Sequence, residues 1–196
     1  AKRRALVKDP YSVESLARVD VLCLDKTGTI TDGTMEVEKV LSINKDDIDH
    51  KVVVGDLIAS FKEQNDTAKA LISAFPAQNI LKAKRILPFS SSRKLSAVSF
   101  EGAGTYVLGA PEFIISPDSQ ICKKLQEYTE QGYRVVLLAK SNELISGDKL
   151  PEDLLPITAY IIKDHIREEA ADTIAWFKEN DVKVKIISGD NALTVA

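Results

Sequence analysis

A nearly continuous apolar run that ends in a carboxylate constrains the fold of this chain more than any other feature. Residues 19–24 read V-D-V-L-C-L, and Asp25 and a turn containing Gly28 follow directly. Such a run is typical of a strand buried in a parallel sheet. Because open α/β sheets bind ligands at the carboxyl ends of their strands, the sequence predicts an α/β fold with Asp25 at a candidate site.

Helix and strand patterns alternate again near the end of the chain. Residues 157–162 and 182–187 have strand patterns, and an amphipathic helix is predicted between them over 167–180. The simplest topology is a Rossmann-like domain in two segments. We place these segments at residues 1–34 and 156–196, with the second segment incomplete at its C-terminus.

Residues 35–155 have a different character, that of an inserted α+β domain. Strand patterns cover residues 35–43, residues 133–139 and the two arms of 96–109, which flank a turn at 101–104. Helical patterns cover residues 46–75 and residues 118–131, before Gly132.

Composition limits the classes of function. The 196 residues are 44% hydrophobic, which is enough for a real core. The net charge is -3, so no overall positive field favours nucleic acid as a partner. Cys23 and Cys122 lack the spacing of a zinc site or a disulfide framework. No apolar stretch approaches the roughly 20 residues of a membrane helix, so we expect a soluble, cytosolic piece.

The segment from Asp25 to Thr29, D-K-T-G-T, carries the strongest chemical signal. A carboxylate at a strand end, followed by a glycine turn whose amides can cradle phosphate and by two hydroxyls, suits the formation of an aspartyl phosphate. The alternative is a surface turn that happens to contain these residue types. The apolar run before Asp25 argues against that alternative.

Together with Ile30 and Thr31, this segment resembles the phosphorylation motif of P-type cation-transporting ATPases, within the haloacid-dehalogenase-like superfamily. The resemblance implies that Asp25 takes the phosphoryl group from ATP, that Asp25 and the Thr27 carbonyl bind Mg²⁺, and that Lys26 steers phosphate. Related phosphatases have a general acid and base where this chain has Thr27. A hydroxyl is a poor base near neutral pH, so we expect a long-lived acyl phosphate.

Two further segments resemble phosphate-side motifs of the same family. Ser188, Gly189 and Asp190 resemble its T-G-D motif, which implies catalytic roles: phosphate contact by Ser188 and ordering of the site by Asp190. The alternative is an ordinary turn with Asp190 as a helix N-cap. Asp164 and Arg167 match the ends of a D-P-P-R motif, which implies nucleotide-side and hinge roles, although the prolines are absent.

The inserted domain carries weaker matches to the nucleotide-binding motifs of the family. The resemblance implies that Phe89 stacks on adenine and that Lys94 supplies a cation at the pocket mouth. The alternative is a core phenylalanine beside solvated basic residues. Gly109 and Ala110 belong to L-G-A-P-E, which resembles K-G-A-P-E, with Leu108 in place of the lysine.

Arg134 matches the family position of an arginine that reaches the ATP phosphates; the alternative is a surface cation at a helix end. Ala68 stands where the family has a glutamate that accepts from the adenine amino group. Together with the lost lysine at Leu108, this substitution predicts weak nucleotide affinity.

The resemblance implies the ATP-binding, autophosphorylated cytoplasmic part of a cation pump. Residues 1–34 and 156–196 would form its phosphorylation domain, and 35–155 its nucleotide-binding domain. The absence of a His-Pro pair in this domain favours calcium or another hard cation. The parent would be a multi-pass protein of a bacterial plasma membrane. A phosphatase of the same superfamily and a non-catalytic nucleotide-binding module are the alternatives.

We interpret both ends of the chain as cut ends, which predicts that the chain is a fragment of a longer protein. In the family, a lysine and a G-D-G-x-N-D segment follow the T-G-D motif and complete the phosphate and magnesium sites. Neither occurs before Ala196. Because phosphoryl transfer depends mainly on electrostatic stabilisation, we expect these 196 residues alone to be inactive as an ATPase.

Overall fold

A computed structural model describes residues 9–62, 65–147 and 149–187. The described helices are α1 Pro10–Leu16, α2 His50–Ala59, α3 Asp66–Ala74, α4 Gln120–Glu130 and α5 Ala170–Glu179. The described strands are β1 Val21–Asp25, β2 Thr31–Ser42, β3 Ala83–Leu87, β4 Leu95–Phe100, β5 Gly104–Gly109, β6 Arg134–Ser141, β7 Leu155–Ile166 and β8 Lys183–Ile187. A π-helical turn covers Lys26–Ile30, and a 3₁₀ turn covers Pro111–Phe113.

The chain divides into two compact units. The first contains the described residues up to Asp32 and those from Ile166 onward, and the second contains Gly33–His165. From sequence we expected the chain to return from the inserted domain to the first unit between residues 155 and 156. The division lies further along because β7 pairs antiparallel with β6 from Leu155 onward, so the start of the expected second segment belongs by contact to the second unit.

The first unit is built on the parallel pair of β1 and β8. The register places Val21 opposite Lys183 and Asp25 opposite Ile187, so the carboxyl ends of both strands meet, as the sequence predicts. The expectation that β1 is a buried strand is wrong for the described residues. Val21 is 39% exposed, because β8 is the one strand that pairs with β1 in the described part of the chain.

The second unit is a six-stranded sheet with the order β2-β7-β6-β5-β4-β3. The pairs from β3 to β7 are antiparallel. Because side chains alternate along a strand, the sheet has two apolar faces. On one face α2 and α3 cover Phe100 and Tyr160, and on the other face α4 covers Val107 and Leu137. The core of this unit therefore has two layers around one sheet.

Local sequence explains the helix ends. The predicted helical region 46–75 is two helices, because Asn65 begins α3 as an N-cap whose side chain accepts from the Ala68 N–H. Asp9 followed by Pro10 predicts a helix start, and the Asp9 side chain does cap α1 in the same way. None of the helices in the described part of the chain has the length and apolarity that a membrane crossing needs.

Candidate active site

Asp25 is the last residue of β1, and its side chain is exposed. The π-helical turn begins at the next residue. Gly28 in this turn has φ +79, a left-handed conformation that favours glycine. Its N–H donates to Oγ1 of Thr31 at 3.2 Å, and Thr31 is only 2% exposed. The exposed carboxylate therefore stands at the start of a turn that a buried hydroxyl braces.

Arg167 contacts the same turn. Its Nε donates to the Thr29 carbonyl oxygen at 3.0 Å and its Nη2 to the Gly28 carbonyl oxygen at 3.2 Å. Its main-chain N–H donates to the Ile30 carbonyl oxygen at 3.0 Å. From sequence we expected a nucleotide-side or hinge residue at this position, and the motif alone does not reveal this contact. Asp164, the other end of that motif, lies in β7.

The oxygen donors beside this turn fit a magnesium ion. Mg²⁺ prefers hard oxygen ligands and is commonly bound through one or two carboxylates while it keeps several waters. The Asp25 carboxylate and the Thr27 main-chain carbonyl are donors of this kind. No group of three or more His, Cys, Asp or Glu side chains that could hold a metal occurs among residues 9–62, 65–147 and 149–187. The Asp25 carboxylate and the Thr27 carbonyl are therefore the groups of this turn that would hold a magnesium ion.

Some of the expected catalytic contacts fall outside the described part of the chain. These are the roles of the Lys26 and Thr27 side chains and of Ser188, Gly189 and Asp190. Their roles stay predictions.

The expected nucleotide-binding residues of the second unit gather at one edge of its sheet, the edge formed by the ends of its strands. The antiparallel order brings the end of β3, the start of β4, the end of β5 and the start of β6 to this edge. Phe89 follows β3, Lys94 precedes β4, Gly109 and Ala110 end β5 and follow it, and Arg134 begins β6. Segments that are distant in sequence therefore converge.

Two of these segments touch through the main chain. The Ala110 N–H donates to the Lys94 carbonyl oxygen at 3.0 Å, and Gly109 pairs with Leu95. A Cβ added at Gly109 would lie 2.6 Å from the Lys94 carbonyl oxygen and 2.6 Å from Leu95 Cα, so only glycine permits this approach. Phe89 is 48% exposed, which excludes its interpretation as a core residue.

Arg134 contacts the helix that carries the other expected nucleotide segment. Its Nη1 donates to Oγ1 of Thr67 in α3 at 2.9 Å, and Arg134 is partly buried. The Arg134 side chain is therefore held by a residue of another element.

Sequence reasoning missed Asp56, which lies among apolar residues of α2 and is 4% exposed. Its carboxylate accepts from four successive main-chain N–H groups, those of Gln78, Asn79, Ile80 and Leu81. Burial raises the pKa of Asp56, but these four hydrogen bonds outweigh that effect, so the pKa lies below its ordinary value. The lone carboxylate in the apolar run V-V-V-G-D-L-I was the signal that could have found it.

Asp46 is a second charged group of this unit that the sequence did not single out. It accepts from the Tyr106 hydroxyl at 2.6 Å and pairs with Lys140. Burial raises the pKa of Asp46, yet the hydrogen bonds from Lys140 and Tyr106 bring it below its usual range. These contacts tie the segment before α2 to the sheet.

Comparison with known proteins agrees with these observations. The sequence model of the haloacid dehalogenase-like hydrolases matches residues 19–196. A probable cation-transporting ATPase, exp7, of Streptococcus pneumoniae serotype 4 is 41% identical over 99% of this chain and 25% of its own length. The calcium-transporting ATPase CtpE of Mycolicibacterium smegmatis is 33% identical over 99% of this chain and 24% of its own length. The chain thus spans about a quarter of these relatives.

Solved structures share the fold. A zinc-transporting PIB-type ATPase in the E2.Pi state matches 100% of this chain and 30% of its own chain, with a TM-score of 0.65 and 20% identity. A catalytic CPx-ATPase domain, CopB-B, matches 97% of this chain and 60% of its own, with a TM-score of 0.60 and 19% identity. The predicted α/β class and the resemblance to cation-transporting ATPases are confirmed. The chain belongs to the haloacid dehalogenase-like hydrolase family.

Proposed function

We propose that the chain is the ATP-binding and autophosphorylated part of a P-type cation-transporting ATPase, with Asp25 as the nucleophile. The observation that carries this proposal is the position of Asp25, exposed at the carboxyl end of β1 and directly before a braced glycine turn. The names of the relatives at 41% and 33% identity support the same activity.

In the proposed reaction a carboxylate oxygen of Asp25 attacks the γ-phosphorus of ATP. A new O–P bond forms, the bond between the γ-phosphorus and the bridging oxygen breaks, and ADP leaves with the electron pair. Asp25 and the Thr27 carbonyl would hold Mg²⁺, which neutralises phosphate charge when bound. Thr27 supplies no efficient general base, so the acyl phosphate lasts long enough to drive a conformational change.

The sheet edge of the second unit is the proposed nucleotide site. Phe89 offers an exposed ring for the adenine base. Gly109 lies close to Leu95 at the same edge, and Lys94 and Arg134 contribute positive charge there.

We also propose that the transported ion is calcium or another hard cation. We propose that this chain lies at the cytoplasmic face of a membrane. The CtpE relative is a calcium-transporting ATPase, which supports this choice. Transport assays with vesicles that contain the full-length protein, loaded with calcium or with zinc, distinguish a hard cation from a soft one.

The central test is acid trapping of a phosphoenzyme. The full-length protein that carries this sequence is incubated with magnesium and ATP labelled in the γ-phosphate, then quenched with acid. We expect hydroxylamine-sensitive label that Asp25→Asn abolishes, because the amide has the same shape and is not nucleophilic. Asp20→Asn, at an exposed aspartate of the same unit, is the matched control and keeps the label. Undiminished labelling of Asp25→Asn contradicts the proposal.

A further inference from the structure

Arg167 donates three hydrogen bonds to three successive carbonyl oxygens of the turn that follows Asp25. The acceptors are Gly28 at 3.2 Å, Thr29 at 3.0 Å and Ile30 at 3.0 Å. The first two bonds come from the guanidinium and the third from the main chain. Arg167 is 138 residues away from Thr29 and 139 residues away from Gly28 in the sequence, so only the folded chain brings them into contact.

The guanidinium suits this task because of its shape. Nε and Nη2 lie in one rigid plane with a fixed separation, so they can engage two neighbouring acceptors together. A lysine ammonium is a point charge on a flexible stem and does not impose that geometry. The Arg167 side chain is exposed and its hydrogen bonds compete with water, so their main effect is on orientation and less on stability.

Fixing these carbonyls also fixes the amides of the turn. In a trans peptide the C=O of one residue and the N–H of the next point in opposite directions. The bonds to Gly28 and Thr29 therefore set the directions of the Thr29 and Ile30 N–H groups. Gly28 is held at both ends, since its own N–H donates to Thr31.

Arg167 is itself anchored. Its carbonyl oxygen accepts from the Ala170 N–H at 3.0 Å, where α5 begins. The guanidinium thus links the turn next to Asp25 to the start of a helix in the same unit.

We propose that Arg167 is a positioning residue for phosphoryl transfer, which holds the main chain of residues 28–30 so that the turn presents Asp25 and its amides correctly. This inference rests on the proposed function and differs from the nucleotide-contact role that the sequence motif implies.

The test separates ATP binding from the chemical step. In the full-length protein, the rate of phosphoenzyme formation in a single turnover is measured as a function of ATP concentration for wild type, Arg167→Ala and Arg167→Lys. Arg18→Ala is the control, at an exposed arginine of the same unit that pairs with Glu14. Melting temperatures establish that each variant folds, and Arg167→Lys carries the test if Arg167→Ala does not.

We expect Arg167→Ala to lower the rate at saturating ATP by between about tenfold and about 100-fold, because even a small misplacement of the reacting groups slows the reaction by this amount. The half-saturating ATP concentration should stay within about twofold of wild type, as for a residue that acts on the transition state alone. Arg167→Lys should recover only part of the rate, and added methylguanidinium should partly rescue Arg167→Ala. Arg18→Ala should match wild type.

Three results overturn the inference. A weaker apparent affinity for ATP with an unchanged saturated rate would make Arg167 a nucleotide contact. Wild-type rates in both Arg167 variants would remove any role for it. A wild-type protein that forms no phosphoenzyme would overturn the proposed function, and this inference with it, so the two failures are distinguishable.

Discussion

Arg134 and Thr67 are joined by a hydrogen bond of 2.9 Å from Nη1 of the arginine to Oγ1 of the threonine. The bond connects the start of β6 to the first turn of α3, 67 residues away in sequence. Thr67 lies next to Ala68, the position at which the nucleotide-binding motif that this segment resembles has a glutamate. The Thr67 hydroxyl therefore orients the Arg134 guanidinium, which we propose binds the ATP phosphates.

Replacing Thr67 by valine removes this acceptor and keeps the side-chain shape. One hydrogen bond contributes about 1 kcal/mol, so Thr67→Val should weaken binding of a non-hydrolysable ATP analogue by about fivefold in calorimetric titration. Thr173→Val, at an exposed threonine of α5, is the control and should bind as wild type does. An equal effect of both variants would contradict an orienting role for Thr67.

Phe89 and Phe113 provide a matched pair, since they are 48% and 50% exposed. Stacking of a base on an aromatic ring contributes about 1–3 kcal/mol. Phe89→Ala should therefore weaken ATP binding by about tenfold or more, whereas Phe113→Ala should leave it unchanged. Amide resonances around Phe89 should shift on addition of ATP. Equal affinities of the two variants would place the adenine site elsewhere.

Lys94 combines a charge with a strained backbone, because its φ of +55 is left-handed. That conformation costs a residue with a side chain about 1–2 kcal/mol, while glycine adopts it freely but loses more entropy on folding. Lys94→Gly should raise the free energy of unfolding by up to about 1 kcal/mol and still weaken ATP binding. Urea unfolding and calorimetry measure the two effects. A variant that is more stable and binds ATP as wild type does would remove Lys94 from the nucleotide site.

Local patterns predict much of this fold because they depend on neighbouring residues. The strands of 96–109, the helix that ends before Gly132 and the cap at Asp9 are all confirmed. The edge strand β3 was missed. Its sequence, A-K-R-I-L, is charged in the middle and largely exposed, so only pairing with β4 defines it.

The candidate site shows the same limit. Asp25 was predictable because strand, carboxylate and glycine turn adjoin in sequence. The bonds from Arg167 to that turn and from Arg134 to Thr67 were not predictable, since their partners are brought together only by the folded chain. The role of Asp56 was hidden for the same reason, because its four donors lie 22 to 25 residues away.

Asp56 allows a prediction about stability and pH. Oδ1 accepts at 2.7 Å from Gln78 and from Asn79, and Oδ2 accepts at 2.8 Å from Ile80 and 2.9 Å from Leu81. An asparagine offers one oxygen acceptor and turns an NH₂ group toward N–H donors. Because hydrogen bonds to buried charged groups contribute about 1.5–3 kcal/mol, Asp56→Asn should lower the free energy of unfolding by about 3 kcal/mol or more at neutral pH.

The pH dependence of that difference tests whether the ionised carboxylate is responsible. The folded pKa of Asp56 lies below its unfolded value of about 3.9. The contribution is therefore complete above the unfolded pKa and is lost as the pH falls through the folded pKa. In this window the free energy of unfolding of wild type should fall more steeply than that of Asp56→Asn, by up to about 1.4 kcal/mol per pH unit. Urea unfolding between about pH 2 and about pH 7 measures both slopes, and Asp118→Asn, at an exposed aspartate, is the control. A difference that stays constant down to the lowest pH would show that packing, and not the charge of Asp56, holds the 78–81 loop.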